Sequence, residues 1–138
     1  MKVNDLMNGI YVYFNCFDGS KIIVKVTGFN DNIVYGNSKH GSHWANINEV
    51  EPIPLTTDIL KLIGFNKSVP PPGIHAKCYE VENKEEKYHL TIADYNKYKR
   101  LLLNVVFEDA ECFNIKCDYV HQLQLALKMC GIKKEINL

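Results

Sequence analysis

Arginine is almost absent from this chain of 138 residues, because Arg100 is the only arginine among 16 basic side chains. The planar guanidinium group suits phosphates and base edges better than an ammonium group does, so this usage disfavours a dedicated nucleic-acid-binding protein. A net charge is lacking too, since 16 acidic residues balance the 16 basic ones, and the two signs also cancel on either side of residue 69. Neither half is therefore predicted to be a basic module or an acidic tail.

Long apolar runs are lacking as well. The N-terminus has no apolar core of signal-peptide length, and the longest apolar stretches, "IIVKV" and "LLLNVVF", have the length of strands. We therefore expect a cytoplasmic protein that does not associate with a membrane. The five cysteines show no C-x-x-C spacing, and free, mostly buried thiols are the expectation in a reducing compartment.

Catalytic motifs are missing: there is no P-loop, no G-x-G-x-x-G, no G-x-S-x-G and no H-E-x-x-H. We predict no catalytic residue and no cofactor. The least favoured alternative is an enzyme with a Cys117–His121 pair, because nothing supplies a third, orienting group. Residues of the kinds that bind zinc are present at Cys112, Cys117 and His121, and His75 and Cys78 could complete such a site. However, strand parity would direct Cys112 and Cys117 to opposite faces, so no metal site is predicted.

The first third of the chain is rich in β-branched and aromatic residues, which Asn, Asp and Gly turns divide into short segments. Strands this short predict a small and strongly curved sheet, and we expect an SH3-like β-barrel over residues 1–54. Pro52 and Pro54 are expected to end regular sheet pairing there. The predicted strands cover residues 9–16, 21–29, 33–36 and 40–47.

A short helix with two specified ends follows the predicted barrel. Thr56 is a suitable N-cap, and Gly64 is suited to the left-handed position after the last turn, with Phe65 folding back onto Leu60. The proline-rich stretch "NKSVPPPG", residues 66–73, is then expected to be a stiff linker.

The second region, residues 55–138, is predicted to contain this helix, an antiparallel sheet of three or four strands and a C-terminal helix. Alternating stretches at 75–82 and 87–93 predict a hairpin with one wet face. Residues 100–107 form the most apolar strand, and 111–116 follow as the last one. The whole chain is thus predicted to have an α+β fold.

The C-terminal helix is predicted to run from Asp118, as its N-cap, to Gly131, as the residue after its end. At 100° per residue its apolar side chains form one stripe, and the more polar ones lie opposite or on a flanking edge. This second surface is expected to face water, another part of the fold or a partner, and its flanking edge, Leu125 and Met129, is a candidate for self-association into a homo-oligomer. Its residues are His121, Gln124, Leu125, Lys128 and Met129.

The loop "KHGSHW" is the most ligand-like segment. Imidazole and indole rings beside a glycine are typical of small-molecule and base-stacking sites, so His40, His43 and Trp44 are candidate ligand-binding residues. The alternative is that Trp44 plugs the barrel while the two histidines are solvated.

The segment "DYNKYKR" interleaves tyrosines with basic residues and is a candidate for nucleic-acid contact. The alternative is a solvated loop, which the neutral charge balance of the chain favours. The candidate residues are Tyr95, Lys97, Tyr98, Lys99 and Arg100.

Four stretches, "MKVNDLMNGIYVYF", "KIIVKVTGF", "INEVEPIPLTTDILKLIGF" and "YVHQLQLAL", together resemble a family of small proteins from phages, prophages and mobile elements of gut anaerobic bacteria. The resemblance covers about half of the chain and assigns no catalytic or binding residue. It implies an accessory protein in the cytoplasm of a bacterial host. Proteins of this kind often act by binding, and some counter host defences by sequestering a nucleotide signal or blocking a host protein.

These features together predict a non-catalytic binding protein of a phage or mobile element, directed at a host protein or a small nucleotide ligand. The alternative is a nucleic-acid-associated accessory protein that uses the barrel and residues 94–100.

Overall fold

The computed structural model describes residue 1 and residues 5–95, 100–107 and 113–138. The chain forms two compact units. The N-terminal unit contains Met1–Pro54, Tyr119–Gln124 and Leu138, and the second unit contains Leu55–Asp118 and Leu125–Asn137.

Among the described residues, the N-terminal unit has five strands: β1 (Tyr11–Asn15), β2 (Lys21–Asn30), β3 (Ile33–Ser38), β4 (Gly41–Asn46) and β5 (Val50–Pro52). They form one antiparallel sheet in the order β4-β3-β2-β1-β5. A 3-10 turn, Ile47–Glu49, connects the fourth strand to the fifth.

Alternation along these strands places one set of apolar side chains on one face, where they form the core of the unit. Gly36 lies on this inner face, and a β-carbon there would stand 2.3 Å from Val24 Cγ1 and 2.6 Å from the Lys25 carbonyl oxygen. β2 and β3 therefore approach each other too closely for a side chain at this position. The core residues are Leu6, Ile10, Val12, Phe14, Val24, Val26, Val34, Ala45 and Val50.

The closed barrel predicted for residues 1–54 is not confirmed. β4 and β5 stand at opposite ends of the hydrogen-bonded order, and no pairing between them closes the sheet in the described part of the chain. Pro52, which was expected to lie outside the sheet, is the last residue of β5 and pairs with Val12. β5 is an edge strand, where a missing N–H group costs least.

The elements of the second unit are α1 (Thr57–Leu62), β6 (Asn66–Ser68), β7 (Lys77–Asn83), β8 (Tyr88–Tyr95), β9 (Arg100–Phe107) and β10 (Phe113–Lys116). The strands form another antiparallel sheet, in the order β10-β9-β8-β7-β6. In the part of the chain that the structure describes, this sheet has five strands instead of the three or four predicted. The additional strand, β6, consists of residues predicted to be a linker, which pair with β7. With α2 (Val120–Met129), the two sheets confirm the α+β class.

Both ends of α1 match the sequence prediction. The Thr56 hydroxyl oxygen accepts a hydrogen bond from Ile59 N at 3.3 Å. Gly64 has a φ of 97°, and Phe65 N donates to the Leu60 carbonyl at 2.9 Å. This is the closing bond of a Schellman motif.

The end of α2 also matches, and its beginning does not. Gly131 has a φ of 72°, and Ile132 N donates to the Leu127 carbonyl at 2.9 Å. The helix begins at Val120, so Tyr119 precedes it in place of the predicted Asp118. Within the described residues, no helix is long and apolar enough to cross a membrane.

Candidate binding face

The face of β2, β3 and β4 opposite the core carries three rows of directly opposed residues, which we call the outer face. The phase of the alternation follows from the buried positions, since Val26, Val34 and Ala45 lie on the inner side. The rows of the outer face are Lys25–Asn37–Ser42, Gly28–Tyr35–Trp44 and Asn30–Ile33–Asn46.

Two aromatic side chains form the centre of the outer face. Tyr35 and Trp44 are directly opposite each other on β3 and β4, and they are 42% and 70% exposed. The backbone hydrogen bond from Ile47 N to the Asn32 carbonyl, 2.7 Å long, makes these two residues a hydrogen-bonded pair. Hydrogen-bonded and non-hydrogen-bonded pairs alternate along β3 and β4 from this point. Tyr35 and Trp44 therefore form a non-hydrogen-bonded pair, in which opposed side chains come closest.

The other neighbours of Tyr35 leave its ring accessible. Gly28, opposite Tyr35 on β2, would meet no atom within 4 Å if it carried a β-carbon. A β-bulge between Val26 and Gly28 places this glycine in the row. Ile33, two residues from Tyr35 on the same side of β3, is 36% exposed. The centre of the outer face is thus an apolar platform with an open notch on one side.

The surrounding positions are polar and almost uncharged. Ser42 Oγ donates a hydrogen bond to Asn37 Oδ1 at 2.9 Å, and this bond joins β3 and β4 on the exposed side. Lys25 is the only charged residue of the outer face, and its Nζ lies 5.6 Å from the centre of the Tyr11 ring. Neutral amide and hydroxyl groups therefore surround the aromatic pair.

The β3–β4 hairpin is fixed at both ends. At the turn, Ser38 Oγ lies 2.7 Å from His43 Nε2 and accepts a bond from His40 N at 3.0 Å. At the other end, Asn46 N donates to Glu49 Oε2 at 3.0 Å, in a capping box of the 3-10 turn. Trp44 therefore extends from a strand whose ends are held by side-chain hydrogen bonds.

The three candidate ligand residues predicted from "KHGSHW" do not share one surface. Trp44 lies on the outer face, half-buried His43 lies opposite Gly36 on the inner side, and His40 is in the exposed turn. The alternative that Trp44 plugs the core is wrong, because Ala45 occupies the buried position beside it.

A further exposed aromatic residue, Phe17, lies at the turn between β1 and β2. The turn is fixed by Asp18, whose Oδ1 accepts bonds from Ser20 Oγ at 2.6 Å and Ser20 N at 2.9 Å. The bond from the Ser20 hydroxyl is the main reason why the pKa of the Asp18 carboxyl is lowered. This ordered turn presents the Phe17 ring to solvent.

Two of the predicted interface residues on α2 belong to the N-terminal unit. Gln124 bonds to the backbone at the start of β1 and two residues before it, since its Oε1 accepts from Tyr11 N at 2.9 Å and its Nε2 donates to the Gly9 carbonyl at 3.0 Å. His121 stacks on Tyr119 with ring centres 5.8 Å apart. Burial lowers the pKa of its imidazole, and the charge of Asp5 opposes that effect. Gln124 thus has a structural role.

The other three predicted interface residues belong to the second unit. Leu125 and Met129 are 42% and 77% exposed, and Lys128 is exposed as well. Leu125 and Met129 form an exposed apolar edge on α2, with Lys128 beside it. That edge stays a candidate for self-association.

The cysteine chemistry considered from the sequence finds little support in the geometry. Cys117 is fully buried, and burial raises the pKa of its thiol to about 12, which disfavours the thiolate that a nucleophilic cysteine needs. Cys78 is buried and its thiol pKa is raised by the same cause. Cys112 lies outside the described residues. Among the residues that the structure describes, no three His, Cys, Asp or Glu side chains are grouped as metal ligands.

The predicted nucleic-acid loop is described only at its two ends. Tyr95 is the last residue of β8 and pairs with Arg100, the first residue of β9. Lys97, Tyr98 and Lys99 lie outside the described residues.

No family model matches this chain, and no curated protein or solved structure matches it either. The geometry of the sheet therefore carries the functional argument. Sequence reasoning identified Trp44 and missed Tyr35 and Ile33. The available signal was the alternation in "IVYGNS", which places these two residues on the same side of a strand.

Proposed function

We propose that this chain is a non-catalytic binding protein of a phage or mobile element, and that it binds a host protein through the outer face. The observation that carries the proposal is the exposed Tyr35–Trp44 pair on a hairpin fixed at both ends. Tyrosine and tryptophan are the residues most enriched at the energetic centres of protein interfaces. The mobile-element setting rests on the resemblance found in the sequence.

The polar surroundings of the pair favour a protein over a polyanion. Asparagine, serine and glycine occupy five of the nine outer-face positions, and Lys25 is the one charged residue there. Nucleic-acid sites need several cations to neutralise phosphates. Adaptable amides around rigid aromatic rings are instead typical of protein-binding surfaces such as antibody combining sites.

The geometry of the hairpin reduces the cost of binding. A side chain that is already ordered loses less conformational entropy when it binds, so more of the contact energy appears as affinity. The Asn37–Ser42 bond and the capping box at Asn46 hold the strands that carry Tyr35 and Trp44. An apolar protuberance on the partner would find room in the notch beside Gly28.

A photo-crosslinking amino acid at position 35 tests this proposal in a bacterial host. A partner captured there is then purified and titrated against the wild type, Trp44→Ser and Tyr35→Ser, with the emission of Trp44, the single tryptophan, as a further readout for wild type and Tyr35→Ser. We expect each substitution to weaken binding about tenfold or more, because each removes a central aromatic contact.

The matched control is the same crosslinker at Thr91, which lies on the polar face of the other sheet. Equal capture from positions 35 and 91, or equal affinity of both variants and the wild type, would contradict the proposal. Saturable quenching of Trp44 by a mononucleotide, without any protein capture, would favour the small-ligand alternative.

We also propose that the N-terminal unit is an open form of an SH3-like barrel. Support comes from its five short strands, in which chain neighbours pair and β5 returns to pair with β1. A hydrogen-exchange experiment at low protein concentration that finds the outward amides of both edges, β4 and β5, protected would favour a closed barrel instead.

A further inference from the structure

The outer strand β4 differs from every other strand that ends one of the two sheets. Within the described residues it pairs only with β3, so one of its sides has no partner strand. It has six residues, "GSHWAN", without a charge or a proline. An edge of this kind is open to pairing with another strand.

The other edge strands are protected in recognised ways. β5 has three residues and ends in Pro52, and β6 has three residues and is followed by Pro70 after one intervening position. β10 ends in Lys116, whose Nζ forms an ion pair with Asp118 Oδ2 at 2.9 Å. Short length, proline and charge each discourage edge-to-edge pairing. β4 alone lacks all three.

The phase of the β3–β4 ladder shows which backbone groups of β4 are directed outwards. The bond from Ile47 N to the Asn32 carbonyl is 2.7 Å long, so bonded pairs recur at every second position, at Ala45 and His43. The N–H and C=O groups of Ser42, Trp44 and Asn46 therefore point away from β3.

One of these three positions is already occupied. Asn46 N donates to Glu49 Oε2 at 3.0 Å, which closes the edge at that end. The outward groups of Ser42 and Trp44 remain, and both residues are exposed. The open part of the edge thus consists of Ser42 and Trp44, whose backbone groups both point outwards, with His43 between them.

We infer that β4 pairs with β4 of a second copy of this chain, antiparallel and centred on His43. In this register Ser42 of each copy lies opposite Trp44 of the other, and each such pair exchanges two backbone hydrogen bonds. The outward N–H and C=O groups of Ser42 and Trp44 are thereby all used. A register centred on Trp44 would instead place Ser42 opposite Asn46, whose N–H group Glu49 occupies.

Charge complementarity supports the same register. In this register Lys39 of one copy lies opposite Ile47 of the other, and Glu49 is two residues further along. The positive Lys39 is therefore near the negative Glu49 of the other copy, and the two-fold symmetry produces the same approach a second time. The strand segments between these ends are uncharged. The two sheets continue into one, with both outer faces on the same side, so that the two Tyr35–Trp44 pairs form a single wider platform.

The pairing of edges is independent of the proposed function, because it uses backbone groups, whereas the outer face uses side chains. A contact confined to one six-residue strand falls short of a standard interface of roughly 1,600 Å². The dimer is therefore weak and forms at high concentration, or where a partner brings two copies together.

Sedimentation from micromolar to millimolar concentration tests the inference, with Ser42→Pro as the main variant. Proline removes the outward N–H group and leaves the backbone hydrogen bonds to β3 intact, since the N–H of residue 42 is not used there. The variant also loses the Ser42 hydroxyl bond to Asn37, so Ser42→Ala is the matched control. We expect Ser42→Pro to lower the association constant about tenfold or more and Ser42→Ala to leave it near the wild-type value.

Amide exchange gives a second, residue-specific readout. As the concentration rises, the amides of Ser42 and Trp44 gain protection, while His43 and Ala45 are protected throughout. Should Ser42→Pro fail to fold, Lys39→Glu replaces it, because a carboxylate at this turn faces Glu49 of the other copy and weakens association. Tyr35→Ser separates the two proposals, since it weakens partner binding and leaves self-association unchanged.

A monomer at all concentrations overturns the inference. So does association that persists unchanged in Ser42→Pro, which would assign the contact to another surface, such as Leu125 and Met129 on α2.

Discussion

The two sheets of this protein present different chemistry on their solvent-accessible faces. In the second unit, the row Glu80–Thr91–Asn104–Asn114 crosses four strands, and Asn104 Nδ2 donates to Asn114 Oδ1 at 2.8 Å. In the N-terminal unit, the central row of the outer face is Gly28–Tyr35–Trp44. Polar residues that bond to one another are the usual covering of a wet sheet face.

The contrast supports placing the proposed binding site on the outer face, without reference to any relative. Both sheets are antiparallel, both bury one face, and both belong to the same chain, so the second sheet serves as an internal reference for the first. The N-terminal sheet exposes an aromatic pair in its central row, whereas the central row of the second sheet is polar. Exposed aromatic rings are not the usual covering of a sheet face that contacts water. Exposed apolar clusters of this kind mark interaction surfaces.

The largest expected effect comes from Gly36→Ala, which disrupts the packing of β2 and β3 on the core side of the sheet, beneath the outer face. The new methyl group would meet Val24 Cγ1 and the Lys25 carbonyl at 2.3 and 2.6 Å, and backbone cannot move aside cheaply. We expect a loss of about 2–3 kcal/mol in the free energy of unfolding of the N-terminal unit. Urea unfolding followed by Trp44 emission measures it.

The matched control for this substitution is Gly28→Ala on the outer side of the same sheet. A methyl group there meets nothing within 4 Å, so the change in stability should stay below about 1 kcal/mol. Equal destabilisation by both substitutions would show that the assignment of inner and outer faces is incorrect.

A smaller effect is expected from Tyr35→Thr, which gives the outer face the polar character of the second sheet. Loss of the aromatic cross-strand pair should cost about 0.5–1 kcal/mol, measured by the same unfolding experiment. Trp44 should emit as a solvent-exposed indole in both proteins. Asn104→Thr, which alters the second sheet, should leave the Trp44-reported transition unchanged, and a blue-shifted emission in the wild type would contradict the exposed position of Trp44.

The smallest effect concerns acid stability of the N-terminal unit. The bond from Lys21, with help from Asn15 Nδ2 at 2.7 Å, lowers the pKa of Glu51 below its ordinary 4.5. The stability from this carboxylate is fully present above pH 4.5 and is lost as the pH falls through the lowered pKa. Glu51→Gln should therefore reduce the difference between urea midpoints at neutral pH and at about pH 3.

The control for the acid experiment is Glu85→Gln, in the exposed turn between β7 and β8 of the second unit. It should not alter the pH dependence of the transition that Trp44 reports. If Glu51→Gln behaved like this control, the bonds of Glu51 to Lys21 and Asn15 would contribute nothing to the free energy of unfolding.

Local signals predicted the parts of the fold that local interactions decide. Thr56 and Gly64 delimit α1, and Gly131 ends α2, because caps depend on the hydroxyl group and the left-handed backbone of single residues. The α+β class followed from strand and helix periodicities in the same way. These features need no knowledge of distant contacts.

Features that depend on distant partners were predicted incorrectly or not at all. β6 was read as a linker, since Asn66–Ser68 becomes a strand only by pairing with β7. Pro52 is accepted in β5 only because β5 is an edge. Gln124 was expected on a polar surface, and its amide instead serves the backbone at Tyr11 and Gly9, more than a hundred residues away in the chain.

The candidate site combines both kinds of information. The sequence alone determined that Trp44 and Ala45 face opposite sides of a strand, because side chains alternate along any strand. It also determined that the chain has a single tryptophan and a balanced charge. Only the tertiary structure decided which side is buried, that Tyr35 stands opposite Trp44, and that β4 ends its sheet. Those outcomes depend on the pairing and packing of segments far apart in sequence, and no short stretch of residues contains them.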